Sequence, residues 1–285
     1  MPIISAKIIK DSISANTQTR LVTMELEYHR YIHSEFMTHR VFSRNASSSR
    51  AIPVEKLLKQ VHDDPMIPVH WGSNKPGMQA GEELTNTELL EVRGLWLQAA
   101  SNTAAIVDSM QKLGLHKQVA NRLLEPFLSI KVVVTSTEWD NFFHLRNHKD
   151  AQPEIQELAR CMKEAMDNST PETLEFGEWH LPYVSDEEMS IMDMEDAIRA
   201  SAARCARVSY LNHDKTECTL AGDIKLFNML AIRPYDDGKG HTMDKDDPVH
   251  LSPLEHQASP IGGLTPCCTS WSGNFRNWIQ FRQTI

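Results

Sequence analysis

The sequence predicts an α+β fold in which a mixed sheet is flanked by long helices, because strand-like and helix-like segments do not alternate regularly. Residues 19–28 predict a strand, because Leu21 to Tyr28 alternates apolar and polar side chains with a period of two. Residues 85–113 predict a long helix that ends at Gly114. Three consecutive valines at 132–134 predict a short buried strand.

The remaining elements are predicted from helical spacing, prolines and polar stretches. They are a strand at 2–9, helices at 29–40, 53–61, 116–125, 137–146, 153–167 and 193–206, and loops at 63–82 and 234–250. Thr85 to Glu88 resembles a capping box for the long helix. We therefore expect one domain, 1–285, with residues 60–115 as a candidate helical insertion.

Composition restricts the class of partner. The net charge of −9 disfavours broad nucleic-acid or membrane binding, and no apolar run is long enough to span a membrane. The first residues show no signal-peptide pattern, so the sequence predicts a cytoplasmic protein. An odd number of cysteines without scaffold spacing predicts reduced thiols with structural roles; they are Cys161, Cys205, Cys218, Cys267 and Cys268.

The run from His39 to Arg50 is the strongest candidate site in this acidic chain. It holds three arginines, a histidine and four serines, with no carboxylate or lysine. Arginine forks and serine hydroxyls suit an anionic, oxygen-rich ligand such as a nucleotide phosphate. A basic surface turn is the alternative interpretation.

Two further segments place polar side chains beside predicted helices. Arg122 lies near a helix end, where a surface salt bridge is the simpler interpretation. In 137–146 an aromatic face leaves Asn141 and Arg146 free to point into a cleft, and the amide of Asn141 suits the edge of a heteroaromatic ring.

Two segments in the second half of the chain also suggest ligand binding. Small residues in 202–209 would allow close approach of a flat ligand, or tight helix packing. The segment 250–256 contains two histidines and a glutamate, but its proline and spacing do not match a helical zinc site. No metal site is predicted. Phosphate-binding glycine loops, a nucleophile elbow and a cysteine beside a convincing base are all absent from the sequence.

Together these motifs resemble the flavin-dependent thymidylate synthases. Thr38-His39-Arg40, seven residues and then Ser48 resemble the signature Arg-His-Arg, seven residues, Ser of that family. Asn141 to Arg146, residues 202–209 and His250 to His256 resemble three further family segments. The last two precede the signature in the ordinary family and follow it here, so the chain resembles a circular permutation. A permutation would place the chain ends close together, with Ser270 to Arg276 beside the strand at 19–28.

The resemblance implies transfer of a one-carbon unit to C5 of dUMP with reduction to dTMP. It implies FAD as cofactor, methylenetetrahydrofolate and NADPH as cosubstrates, a pyrimidine deoxynucleotide monophosphate as ligand, and a homotetramer. The implied catalytic residues are Ser48, Arg146 and His39. The implied substrate-binding residues are Ser48, Ser49, Arg50, Arg122 and Arg146. The implied cofactor-binding residues are His39, Arg40, Asn141, Leu145, Ser209, His250, Ser252 and Glu255.

Several positions depart from the family pattern. Thr38 replaces the first arginine of the signature, and Ala46 stands where many members carry a glutamate. Thr135 and Thr137 stand where some members have Asn and Arg, and Glu35 replaces a common glutamine. A pyrimidine nucleotide hydroxymethylase or a dCMP methylase on the same fold therefore stays open, as does a non-catalytic flavin- or nucleotide-binding protein.

Overall fold

A mixed sheet with helices on both sides forms the centre of the protein. The computed structural model describes residues 4–208, 219–263, 265 and 269–285. The strands are β1 (Ser5–Ser14), β2 (Arg20–His29), β3 (Ser43–Ala46), β4 (Ser129–Ser136), β5 (Glu172–Leu174), β6 (Tyr235–Asp236), β7 (Thr242–Met243), β8 (Ala258–Pro260), β9 (Trp271–Ser272), β10 (Phe275–Arg276) and β11 (Trp278–Gln280). The α-helices are α1 (His33–Phe36), α2 (Val54–Asp63), α3 (Asn86–Lys112), α4 (Lys117–Ala120), α5 (Asp140–Arg146), α6 (Pro153–Asp167), α7 (Asp186–Met189), α8 (Met194–Arg207) and α9 (Leu220–Ala231).

Within the described residues the main sheet has the order β3-β4-β2-β1-β5. The pairs β1–β2, β2–β4 and β3–β4 are antiparallel, and only β5 runs parallel to its neighbour β1. This confirms the predicted α+β class with a mixed sheet. Strand β3 lies at one edge.

The two faces of this sheet differ chemically. One face is apolar: alternate residues of β2 and β4 pack with Phe36, Phe42 and Phe142 and with the buried side of α6. The other face carries buried polar side chains, including Thr23 and Thr135, under the elements that follow β5. A separate apolar cluster joins α2, α3 and Phe127, which gives residues 54–128 a helical core of their own.

A chain of hydrogen bonds crosses the buried polar face and leaves only Nε2 of His256 without a partner among its described members. His180 joins the hydroxyls of Ser12 (2.9 Å) and Thr23 (2.8 Å). Thr23 bonds to Thr135 (2.7 Å), and Thr135 bonds to Nδ1 of His256 (2.8 Å). Both histidines are fully buried, so each hydrogen bond avoids the cost of an unpaired polar group in the interior.

Several predicted elements are confirmed, including α6 at 153–167 and α3, which ends at Gly114 in a left-handed conformation (φ +87°). The capping box predicted at Thr85 is wrong, because its side chain makes no cap hydrogen bond. The acidic stretch after residue 185 contains a capping box instead, formed by Ser185 and Glu188. The predicted loop at 234–250 contains the short hairpin β6–β7.

The helix predicted at 29–40 is also wrong beyond Phe36. A 3₁₀ turn at Arg30–Ile32 leads into α1, and the helix then ends because competing donors take its carbonyls. The Thr38 hydroxyl donates to the carbonyl of Glu35 (2.7 Å), and the Arg44 guanidinium donates to the carbonyls of Phe36 and His39.

The helix predicted from 137 begins only at Asp140. The Ser136 hydroxyl accepts the backbone N–H of Glu138 (2.9 Å), and the indole of Trp139 donates to the Ser136 carbonyl (3.0 Å). These bonds form a turn that competes with helix at 136–139. The segment predicted at 116–125 divides into α4 and a 3₁₀ stretch that contains Pro126.

The expectation that the two chain ends are neighbours is wrong, because the segments near them contact opposite ends of β2. Ser5 pairs with Glu27, whereas the Trp278 indole donates to the carbonyl of Thr19 (3.1 Å), just before β2 begins. At about 3.3 Å per residue these contacts lie roughly 25 Å apart. The segment Ser270 to Arg276 does lie beside this region, where the Asn274 amide reaches Ser43.

We predict that Thr135→Val lowers the free energy of unfolding by about 1–3 kcal/mol, because it leaves His256 without its one hydrogen-bond partner among the described residues. Urea unfolding would measure the change. Thr173→Val is the matched control, since this threonine is exposed on β5. An equal effect of both substitutions would contradict the prediction.

We predict that acidification destabilises the protein from about pH 6.5 downward. Burial lowers the pKa of His256 to about 3, and burial lowers the pKa of His180 well below its usual value. The unfolded chain therefore binds protons between pH 6.5 and 3 that the folded chain does not, and stability that is complete above pH 6.5 is lost through this interval.

The test compares the pH dependence of urea unfolding in His256→Asn and His144→Asn. In His256→Asn the asparagine places its side-chain amide near the position of Nδ1 but cannot take up a proton. This variant should therefore lose stability less steeply as the pH falls. His144 is exposed, and its variant should follow the wild-type curve. Identical curves for all three proteins would show that His256 is not the group involved.

Candidate functional site

A short edge strand and the turn that follows it form the base of the candidate site. In β3, Ser43 and Asn45 are buried and alternate with half-buried neighbours, and the chain then enters a 3₁₀ turn at Ser49–Ala51. The Asn121 side-chain amide donates to the carbonyls of Ser49 (2.7 Å) and Ile52 (3.0 Å). These two bonds fix the backbone that presents Ser48 and Arg50.

A cavity of about 280 Å³ lies against this turn. Three parts of the sequence line it: the end of β3 with its turn, helix α8, and the segment before β8. Its chief lining residues are Asn45, Ser48, Arg50, Ala206, His250 and Ser252. The structure thus brings together three of the segments that carry the predicted motifs.

The groups around this cavity are largely uncommitted. Within the part of the chain that the structure describes, the side chain of Arg50 has no ion-pair or hydrogen-bond partner, and the buried amide nitrogen of Asn45 has none either. His250 is exposed, and its backbone N–H donates to the carbonyl of Leu230 (2.8 Å), which fixes its position. Uncommitted donors of this kind suit an anion with several oxygens.

Two predicted substrate-binding residues, Ser49 and Arg122, interact with Glu125 outside the cavity. The Ser49 hydroxyl donates to Glu125 (2.7 Å), and Arg122 pairs with the same carboxylate (2.9 Å), as does Arg30 (3.1 Å). Burial acts to raise the pKa of Glu125, but the Ser49 hydrogen bond and the two arginine charges outweigh it and lower the pKa. Neither Ser49 nor Arg122 lines the cavity.

His39 and Arg146 form a second cluster at the other end of the predicted run. The Arg146 guanidinium donates from Nε to Nε2 of His39 (3.0 Å) and from Nη2 to the hydroxyl of Thr38 (3.3 Å). Burial, together with the charges of Arg146 and Arg44, lowers the pKa of His39 to about 4. His39 is therefore a neutral acceptor at pH 7 that orients the arginine.

The remaining predicted cofactor residues fall outside the cavity. Three of them are exposed near the His39–Arg146 cluster. Arg40 lies in the turn before β3, and Asn141 and Leu145 lie on α5. Glu255 forms an ion pair with Arg282. Ser209 lies outside the described residues.

Sequence reasoning missed Asn45, Glu125 and His256. The sequence held no signal for Asn45, because Ser43, Arg44 and Asn45 are all polar and only their burial in the structure alternates. Glu125 lies more than 70 residues from Ser49 in the sequence, and no local pattern connects them. The two cysteines that the structure describes, Cys161 and Cys205, both have a pKa raised chiefly by burial.

No helix among the described residues is long and apolar enough to cross a membrane. No curated protein sequence matches the chain. Similar solved structures include the UMP/dUMP methylase PolB from Streptomyces cacaoi, bound with 5-Br UMP or with 5-Br dUMP. Sequence identity is 14% in both cases, with TM-scores of 0.46 and 0.47, and the alignments cover 58% of this chain and 89% and 90% of those chains.

A sequence model of the family described as thymidylate synthase complementing protein matches residues 6–172, a range that includes the candidate insertion at 60–115. Because this match spans more than half of the chain, the protein belongs to that family and is a thymidylate synthase-like methyltransferase.

Proposed function

We propose that this enzyme transfers a one-carbon unit to C5 of dUMP and reduces it to give dTMP, with FAD as cofactor and methylenetetrahydrofolate and NADPH as cosubstrates. Family membership supports the reaction type. The observation that carries the proposal is the cavity in which an unpaired Arg50 meets Ser48, His250, Ser252 and the free amide of Asn45.

The cavity suits the phosphate end of a nucleotide monophosphate. A phosphate dianion needs fixed donors to leave water, and a guanidinium supplies two in a fork. Arg50 with the hydroxyl of Ser48 provides such a set. Asn45 would then donate its free amide N–H to an oxygen of the same ligand.

The residues near His39 fit a flavin, which carries carbonyl oxygens and ring nitrogens along one edge. Arg40 has no ion-pair or hydrogen-bond partner in the described chain, and Asn141 is exposed on α5 next to Phe142, whose ring contacts His39 with centroids 4.9 Å apart. Arg40 and Asn141, with Leu145, His39, Ser209 and the segment containing His250, Ser252 and Glu255, would hold FAD. When bound, FAD supplies the reducing equivalents for the reaction.

The geometry also supports a site shared between subunits. A cavity of about 280 Å³ lies below the usual range of about 300–1,000 Å³ for small-ligand pockets and is too small for a dinucleotide. The His39–Arg146 cluster does not line it. We infer that a homotetramer joins the nucleotide cavity of one copy to the His39 surface of another.

In this arrangement His39 and Arg146 act together. The neutral imidazole accepts from Nε of Arg146 and so leaves the guanidinium positioned to stabilise negative charge on the pyrimidine. No thiolate addition is required. Burial raises the pKa of Cys205 and of Cys161, which makes either a poor nucleophile.

One observation favours a second candidate, a pyrimidine nucleotide hydroxymethylase or dCMP methylase on the same fold. Ala46 lines the cavity at a position where many family members carry a glutamate. Loss of a carboxylate there would change how the ring or ribose is held. The altered contacts would then change the preferred base or the fate of the transferred carbon.

Product analysis tests the function. The purified enzyme would be incubated with FAD, NADPH and methylenetetrahydrofolate, and with either dUMP or dCMP, and the nucleotides separated by chromatography and mass spectrometry. We expect dTMP from dUMP. A hydroxymethylated product, or turnover of dCMP alone, would establish the second candidate, and nucleotide binding without any product would indicate a non-catalytic protein.

We predict that Arg50→Ala weakens dUMP binding by about 1.5–3 kcal/mol, because the phosphate loses a charge-assisted partner. Arg50→Lys should restore part of this affinity, since an ammonium lacks the guanidinium fork. Calorimetry would measure both. Arg93→Ala is the control, because Arg93 is exposed on α3 and also lacks a partner among the described residues. Unchanged dUMP affinity in Arg50→Ala would contradict the assignment.

We predict that the FAD-loaded protein is a homotetramer, because each cavity needs the His39 surface of another copy. Light scattering with in-line flavin absorbance would measure mass and occupancy together. A monomer with full flavin occupancy would show that one chain holds the cofactor alone.

A further inference from the structure

A second cavity, of about 360 Å³, lies between the helical layer and the start of α6. It shares no lining residue with the cavity at Arg50. Its walls are mainly aromatic and apolar, with Tyr31, Trp96 and His70 among them, and Glu154 contributes the only carboxylate of the lining.

The aromatic wall is held in a fixed orientation. The indole nitrogen of Trp96 donates to the carbonyl of Met66 (2.9 Å). Its ring packs edge to face against Tyr31, Trp71 and Phe127, with centroids 6.5, 6.0 and 5.5 Å away. A ring that is held at its edge keeps its orientation, and the aromatic surface of the cavity is formed before any ligand arrives.

Glu154 is a buried carboxylate whose charge has no balancing cation. Only 2% of its surface is exposed. Its oxygens accept the backbone N–H of Val69 (2.8 Å) and the side-chain amide of Gln152. These donors are neutral. Among the described residues no lysine, arginine or histidine forms an ion pair with it.

A buried charge without a partner is unusual, because removing it from water is costly. The N-terminus of α6 and the two neutral donors stabilise the carboxylate, but neither supplies a cation at the cavity wall. No basic side chain lines the cavity apart from His70.

One wall of the cavity comes from a folded flap, residues 70–84. The flap is closed by backbone hydrogen bonds from Ser73 to Glu82 (2.8 Å) and from Leu84 to Trp71 (2.8 Å). The flap requires glycine at position 72, because a Cβ on this residue would overlap the side chain of Ala80. The flap carries His70 and Ala80 into the cavity wall, so the site is built by several separate segments.

We propose that this cavity binds a small organic cation, an ammonium with apolar substituents, against the aromatic wall formed by Trp96 and Tyr31 and beside Glu154. Aromatic faces attract a cation through their quadrupole, and a desolvated carboxylate adds a charge partner. The apolar walls take the alkyl substituents of such a ligand. The site does not depend on the proposed nucleotide chemistry.

The test compares choline with 3,3-dimethylbutan-1-ol, its neutral isostere, by isothermal titration calorimetry on the full-length wild-type protein. The two probes have nearly the same shape, so the ratio of their dissociation constants isolates the charge. We expect choline to bind about tenfold or more tightly than the alcohol. Equal dissociation constants, or no saturable binding of either probe, would overturn the proposal.

Variants locate the binding. Glu154→Gln keeps an acceptor for Val69 and should weaken choline binding about tenfold while leaving the alcohol unchanged. Trp96→Leu should weaken both probes. Glu164→Gln, an exposed change on the same helix, is the matched control and should change neither. Unchanged choline binding in Glu154→Gln would contradict the site, and if that variant does not fold, the wild-type comparison of the two probes still decides.

Discussion

A chain of hydrogen bonds buried under the main sheet connects the two halves of the protein. It runs from His180 through Thr23 and Thr135 to His256, with links of 2.7–2.8 Å. Both histidines follow β5, and both threonines precede it. Because buried hydroxyls and imidazoles without partners are costly, few other placements of the second half would satisfy these groups.

This constraint positions the candidate site. Thr135 lies on β4 directly opposite Ser43 of β3, and His256 bonds to Thr135. The segment just before His256 must therefore lie over β3. That segment carries His250 and Ser252, and β3 leads into Ser48 and Arg50. Residues about 200 apart in the sequence meet at one cavity because a structural histidine fixes the register between them.

The sequence predicts the elements whose signal is local, and it fails where distant groups compete. The period of two at 19–28 and the Pro153 start of α6 both appear in the structure. The helix at 29–40 was lost because Arg44, later in the chain, takes the carbonyls of its last turn. Periodicity likewise marks Thr23 as lying on one face of a strand, but it cannot say that His180 will cover that face.

Ion pairs with carboxylates divide the arginines in and around the predicted site into those that are paired and those that are available to a ligand. Only the fold shows which arginines are paired. Arg122 and Arg30 share Glu125, and Arg282 pairs with Glu255. In a chain with net charge −9, most guanidiniums find a carboxylate, and each pair is then unavailable to a ligand.

Arg40 and Arg50 lie within a segment that contains no acid, and the described chain brings none to them. The two cations therefore flank β3 without compensation, one toward the His39 surface and one at the cavity. A free arginine on each side of an edge strand is the arrangement expected if one holds the nucleotide and the other meets a second anionic group supplied from outside the subunit. The fold brings Glu125 to Ser49, between these two arginines, but no carboxylate of the described chain pairs with Arg40 or Arg50, so both keep their charge for a ligand.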